Sequence, residues 1–471
     1  MQSSPAEIHT SIAHYLIPRD AVHLASSCRR IYTSIYHSDL VWRKAYHNHW
    51  PAWDASWGTQ DPSLFNTCQT WKGRCALRSR TEHAWKQGPD ESRAVFRDNV
   101  KGRVVDKIRP ARHVTLISVA DHVHNWCIYL LDHATNQMRL FLNARNAQTR
   151  KPSVIVCTET TVVIIAERDQ TDYKVYFHTL FPSGEMKTYE QNRLLAGFSA
   201  ESGVLYAIDR ATLMRWKIPT SPDQDYIPLG TVDYVYSYLF VSSKQMATWF
   251  TYHSQNTIWK RVDVTKPVPV VLGECRVLSS LRVTKIWTDE FLCVACGQDN
   301  ERGAIEFVAY SALDDQGIKW RKAIAVGETV CDFIGFDDIA CHVVAYSDGS
   351  YVKRVSEGEE RLYKRVVVRG YVNGLKREED VEQFAWEHHV VDMDGASDFV
   401  MLDRVTLTTA LVWTDLQAVA FDVTNGKELW RHEAKERLMV NVDCLRLIVL
   451  VDDQLCLYDM SIRRPHTAAL E

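Results

Sequence analysis

A small α-helical unit followed by a large all-β body is the architecture this 471-residue sequence predicts, and three observations predict it. Up to Gly88 the apolar residues follow the 3.6-residue helical period; from about Val104 onward they follow the two-residue period of strands. An apolar strand ending in aspartate recurs at 128–132, 205–209, 419–422 and 455–459. A strand joining tryptophan to basic residues recurs as Arg215-Trp216-Lys217, Trp259-Lys260-Arg261, Trp320-Arg321-Lys322 and Trp430-Arg431-His432.

The helical part starts with a capping box, in which Ser4 and Glu7 exchange side-chain and backbone hydrogen bonds around Pro5 at the first helical position. Ile8, Ile12, Tyr15 and Leu16 then share one face, and Pro18-Arg19-Asp20 breaks and restarts the chain. A second stripe runs through Ala21, Leu24, Ala25, Cys28, Ile31 and Ile35, and a third short helix covers 38–43. Three helices this short bury too little surface to stand alone and need a neighbour or a partner. Between Asp54 and Gly88, Leu64, Thr67, Cys68, Trp71, Cys75 and Leu77 keep a near-helical spacing among Lys72, Arg74 and Arg78, which predicts a basic helical connector.

The pattern through Pro5, Glu7, Ile8, Ile12, Leu16, Asp20, Leu24, 28–32 and 39–43 resembles the F-box, with Ser4 standing where that family usually has leucine. Trp71-Lys72 and the segment 83–88 look like the join that F-box proteins with a propeller place before the body. The resemblance implies that Pro5, Ile8, Ile12, Leu16, Leu24, Cys28, Ile31, Leu40 and Trp42 dock a Skp-family adaptor, with Pro5, Ile8 and Trp42 at positions where the family meets it. It also implies that the connector is a rigid spacer.

In the body, short β-branched and aromatic runs alternate with turn signals such as Pro182-Ser183-Gly184, Ser347-Asp348-Gly349 and Thr424-Asn425-Gly426. The strand-terminal aspartates can accept from turn N–H groups, and the tryptophans can pack between sheets. Repetition at roughly 40–50 residues predicts a closed β-propeller of about seven blades, with eight the alternative, the last strands sharing a blade with a strand from near Val104. The expected divisions are 1–52 for the F-box unit, 53–95 for the connector, 96–463 for the propeller and 464–471 for a tail. The repeats do not match WD repeats, and 423–430 is similar to a quinoprotein-type blade turn in architecture only. The acidic run 377–382 reads as a solvated loop.

Apolar residues at 46% and charged residues at 24% belong to an ordinary globular protein, and a formal net charge of −4 gives no support for nucleic-acid binding. No cleavable signal and no bilayer-length apolar run is read; 154–166 comes nearest and is interrupted by Glu159 and threonines. Twelve cysteines scattered singly through apolar segments read as reduced core residues of a cytoplasmic or nuclear protein. Cys293-x-x-Cys296 has the spacing of half a zinc site but lacks a second pair, and strand geometry separates residues three apart. His122, His124, His388 and His389 lack partners at ligand spacing, and no phosphate-binding or nucleophile motif occurs. No cofactor and no catalytic residue is therefore expected.

The functional expectation from the resemblance is a non-catalytic substrate-recognition subunit of an SCF-type cullin–RING ubiquitin ligase, whose propeller holds a target protein. The alternative is an adaptor-bound platform acting in assembly or trafficking.

Overall fold

The computed structural model describes residues 6–49, 70–90 and, between 94 and 460, the strands below with parts of their turns. Ser4, Pro5, residues 51–69 of the connector, His122, His124, residues 234–237 and the tail beyond 460 lie outside the described residues.

Among the described residues, the helices that precede the strands are α1 Ala6–Ala13, α2 Pro18–Ala25, α3 Arg29–Tyr36, α4 Asp39–His49 and α5 Trp71–Gln87. The single stripe expected from Ala21 to Ile35 is divided between α2 and α3, and the third helix runs on to His49. Local chemistry explains the starts of α2 to α5. Pro18 occupies the first turn of α2, the Cys28 sulfur accepts from the Ile31 N–H at 3.5 Å, and the Ser38 hydroxyl accepts from the Val41 N–H at 3.4 Å. Thr70 caps α5 by accepting from the Gly73 N–H at 3.2 Å.

Among the described residues the body holds eight four-stranded antiparallel sheets, the alternative to the favoured seven. Their first strands are Val104–Pro110, Ser153–Cys157, Leu195–Glu201, Tyr238–Val241, Leu281–Thr288, Thr329–Phe336, Val400–Arg404 and Leu438–Val442. The apolar run at 154–166 is thus a strand pair and not a span, and no helix among the described residues is long and apolar enough to cross a membrane. The first seven sheets are each one uninterrupted stretch of chain, folded as a meander. The eighth takes three strands from the end of the chain and a fourth, Ala94–Asn99, from the beginning of the body. That strand pairs with Gln454–Asp459, Asn99 opposite Gln454 and Arg97 opposite Cys456. The early strand that joins the last sheet is therefore Ala94–Asn99, while Val104 opens the first sheet.

Successive sheets pack through apolar clusters, giving a propeller-like succession. Leu116, Ile128 and Leu130 of the first meet Val163 and Leu180 of the second, and Phe177 of the second meets Leu205 and Trp216 of the third. The eighth returns to the first, where Ile448, Leu450, Leu455 and Leu457 lie against Ile117, Val119 and Leu131. Each of these buried branched side chains contributes about 1.5–3 kcal/mol of transfer free energy.

The recurring sequence elements have the predicted contacts in some places. Asp132 accepts from the Thr135 N–H at 3.1 Å and Asp422 from the Thr424 N–H at 3.0 Å, whereas Asp209 pairs with Arg193 at 3.2 Å. Trp216 and Trp320 are buried between neighbouring sheets. The elements do not occupy one fixed place, however: Trp216 is on the third strand of its sheet and Trp430 on the fourth. Part of the acidic run, Glu378–Val381, is a 3-10 turn, with Glu378 3.9 Å from Lys322 of the fifth sheet.

Candidate functional site

Two relationships define the helical unit: what holds it together, and what it leaves exposed. Ala13, Ala25, Ile31, Ile35 and Val41 form one small core, flanked by Leu24 and Cys28. Ala21, Trp42, Tyr46 and Cys75 form a second, flanked by Leu16, Tyr36 and Trp71. Trp42 donates its indole N–H to the Tyr36 carbonyl at 3.0 Å, and the Asp39 carboxylate accepts from the Trp71 N–H at 2.8 Å. Asn48 donates to the His14 carbonyl at 2.7 Å. Burial pushes the Cys75 thiol up to about 12.

The unit is also fixed to the body. Leu407, from the turn after Val400–Arg404, enters the cluster of Ala21, Trp42, Tyr46 and Cys75. At the far end of α5, Ala84 and Trp85 are buried among Val405, Leu411 and Trp413 of the seventh sheet and Leu438, Val440 and Tyr458 of the eighth. Gly88 ends the helix at φ 82°, and a Cβ there would lie 2.7 Å from Cγ of Trp430. Only glycine satisfies both the left-handed backbone and that close approach. The sequence-predicted join at 83–88 is thus a packed joint.

The predicted docking residues fall into three groups. Ile12 and Leu40 are exposed, at 36% and 53%. Leu16, Leu24 and Cys28 are half-buried, while Ile31 and Trp42 are buried and hold the helices together. Pro5 and the side chain of Ile8 lie outside the described residues. Among these, Trp42 faces inward and Ile12 faces out. The reason lies in α1, which packs inward through the small Ala13 and through His9 and leaves its larger apolar side chain uncovered.

Two residues not among those predicted belong with Ile12 and Leu40. Tyr15 is 86% exposed, and Tyr32 is exposed with its ring stacked on Tyr36 at 4.4 Å. Counting Val22 as well, five of the eleven exposed large apolar side chains among the described residues stand on the short segment 6–49. The signal for Tyr15 was in the sequence, since it shares the stripe of Ile8, Ile12 and Leu16.

The body offers no metal centre among the described residues, where no group of three or more His, Cys, Asp or Glu side chains comes together. His388 packs instead, 3.1 Å from Glu428 and against the Phe421 ring. Arg431 also binds Glu428 through two nitrogens, at 2.7 and 3.0 Å, and these contacts hold its carboxyl below the usual range.

No family model matches the chain, and no curated protein matches it. Solved structures resemble it at low identity. Sqt1 of Saccharomyces cerevisiae aligns over 78% of this chain and 98% of its own at 7% identity, with a TM-score of 0.48. BamB of Moraxella catarrhalis aligns over 78% and 99% at 10% identity, with a TM-score of 0.45. The WD40 domain of Toxoplasma gondii coronin aligns over 64% and 80% at 7% identity, with a TM-score of 0.39. The assignment of the body therefore rests on its own strand pairing: repeated four-stranded sheets carrying a helical unit with an uncovered apolar surface.

Proposed function

We propose that the chain is a substrate-recognition subunit of an SCF-type ubiquitin ligase. Its helical unit is an F-box that docks a Skp-family adaptor, and its body is an eight-bladed propeller, closed by Ala94–Asn99, that holds a target protein. The observation that supports this reading most is the exposed apolar set Ile12, Tyr15, Tyr32 and Leu40, on helices whose sequence resembles the F-box. The packed joint at Trp85 and Gly88 suits the same role, because proximity transfer needs the target held at a fixed position relative to the ubiquitin donor. Chemistry then belongs to the partner subunits and not to this chain, which acts in the cytoplasm or nucleus.

The test is affinity purification of the tagged chain, comparing wild type with Ile12→Asp/Leu40→Asp. Both side chains are exposed, so the substitutions cost little stability, within about 0.5 kcal/mol each. Adaptor and cullin recovered with wild type and lost with the variant support the ligase reading. Adaptor recovered without cullin replaces it with a non-ligase platform in assembly or trafficking. Undiminished adaptor recovery with the variant, or no adaptor with either form, overturns the docking surface.

A further inference from the structure

We propose that the cleft between α2 and α5 is a separate docking site, and that it takes an acidic protein segment carrying an apolar anchor. The cleft encloses about 740 Å³, and Val22, Tyr36 and Trp42 are among the apolar side chains lining it. Val22 is 42% exposed there, an apolar side chain left facing water. Ile12, Tyr15, Tyr32 and Leu40 do not line it, and Trp42, the one predicted docking residue among its lining residues, is 3% exposed, so the inference does not rest on the ligase reading.

Charge selects the occupant. Arg19, Lys72 and Lys86 line the cleft, and Glu82 is the one carboxylate among its lining residues. Among the described residues no carboxylate pairs with Arg19, Lys72 or Lys86; the Lys72 ammonium sits 3.9 Å over the Tyr36 ring. Elsewhere many bases have an acid at hand: Arg193 with Asp209, Arg321 with Glu306, Arg369 with Glu387, and Arg431 with Glu428. The imbalance is local, because the chain as a whole carries −4. Unpaired cations around an apolar floor complement carboxylates flanking an apolar side chain, since the anchor supplies burial and the rim sets orientation and encounter rate.

A protein segment fits better than nucleic acid or membrane. Single-stranded nucleic acid needs free aromatic faces to stack on, but Trp42 is 3% exposed and Tyr36 is covered by Lys72. A bilayer surface would need a convex apolar face, and this one is concave.

The experiment titrates a fluorescent peptide of glutamate and leucine with the full-length chain and follows its anisotropy. Saturable binding is expected, with an affinity that falls as salt rises and drops about tenfold or more for Lys72→Glu/Lys86→Glu. Lys72→Gln/Lys86→Gln should give an intermediate loss, Val22→Asp should abolish binding, and Ile12→Asp/Leu40→Asp should leave it unchanged. Circular dichroism checks that each variant is folded. Equal binding of a glutamine–leucine peptide, or undiminished binding by the lysine variants, overturns the proposal. Tighter binding of oligothymidylate or phosphatidylserine vesicles, lost in the same variants, overturns it in favour of a phosphate ligand.

Discussion

Trp430 donates its indole N–H to the backbone carbonyl of Trp85 at 2.6 Å, with the two rings 6.3 Å apart and 24° from parallel. This contact joins residues 345 positions apart and ties the last turn of α5 to the seventh sheet. The Trp85 ring is fully buried, so truncation leaves a cavity as well as losing the stack. Trp85→Ala is expected to cost about 3–5 kcal/mol in urea denaturation. It should also admit protease between the helical unit and the strands before the strands themselves are cut.

A paired comparison at two glycines separates backbone strain from steric conflict. Gly88 and Gly184 both have positive φ, 82° and 85°, but a Cβ at Gly184 meets nothing within 4 Å, whereas at Gly88 it meets the Trp430 side chain. Gly184→Ala should cost only the left-handed penalty, about 1–2 kcal/mol. Gly88→Ala should cost more on both counts, because φ 82° with ψ 177° is a conformation essentially reserved for glycine and overpacking against Trp430 adds about a further 1–3 kcal/mol. Equal losses measured by thermal denaturation would remove the steric argument at the joint.

Cys75 should be inert to alkylation in the folded protein near neutral pH and react only on unfolding, because burial disfavours the thiolate. The linked stability has a definite sign. The folded thiol ionises at about 12 and its ordinary value is 9.0, so the unfolded chain loses its proton first as pH rises. The contribution is whole below 9.0 and is lost progressively up to about 12. Cys75→Ser should lack this component of the alkaline decline, measured as the difference between the two denaturation profiles.

Glu428 titrates the other way. Its carboxyl is held below its ordinary value of 4.5, first by hydrogen bonding to Arg431, with burial opposing and His388 assisting. The stability it contributes is present above 4.5 and is lost as pH falls through the lowered value. Glu428→Gln should therefore be less stable than wild type at neutral pH, and the gap should narrow on acidification. A gap independent of pH would show that packing alone accounts for the loss.

Much of the body was legible because strands alternate and their turns carry Asp, Asn and Gly at fixed offsets, as at Thr424-Asn425-Gly426. The sheet count was less so. The sixth sheet runs from Thr329 to Asp394 around two long strands, Cys341–Ser356 and Glu359–Tyr371, while the seventh fits between Val400 and Glu433. Such unequal lengths leave an average spacing of roughly 40–50 residues compatible with seven sheets or eight. The expected boundary between 95 and 96 cuts through Ala94–Asn99, where Arg97, Asp98 and Asn99 interrupt any apolar alternation; the strand's place is set by a partner far along the chain. On α4, Leu40, Val41 and Trp42 are consecutive and all apolar, and periodicity alone does not say that the first faces out and the next two in.

The pairing of Ala94–Asn99 with Gln454–Asp459 has a consequence for the order of events during synthesis. Translation delivers the helices first, and the surfaces that seat Trp85, around Trp413, Leu438 and Tyr458, emerge more than three hundred residues later. The nascent chain therefore carries its helices without that seat while the intervening sheets are made. A product stopped between Asn99 and Gln454 keeps Ala94–Asn99 without its partner strand, so the seating of the helices reports on synthesis through Asp459.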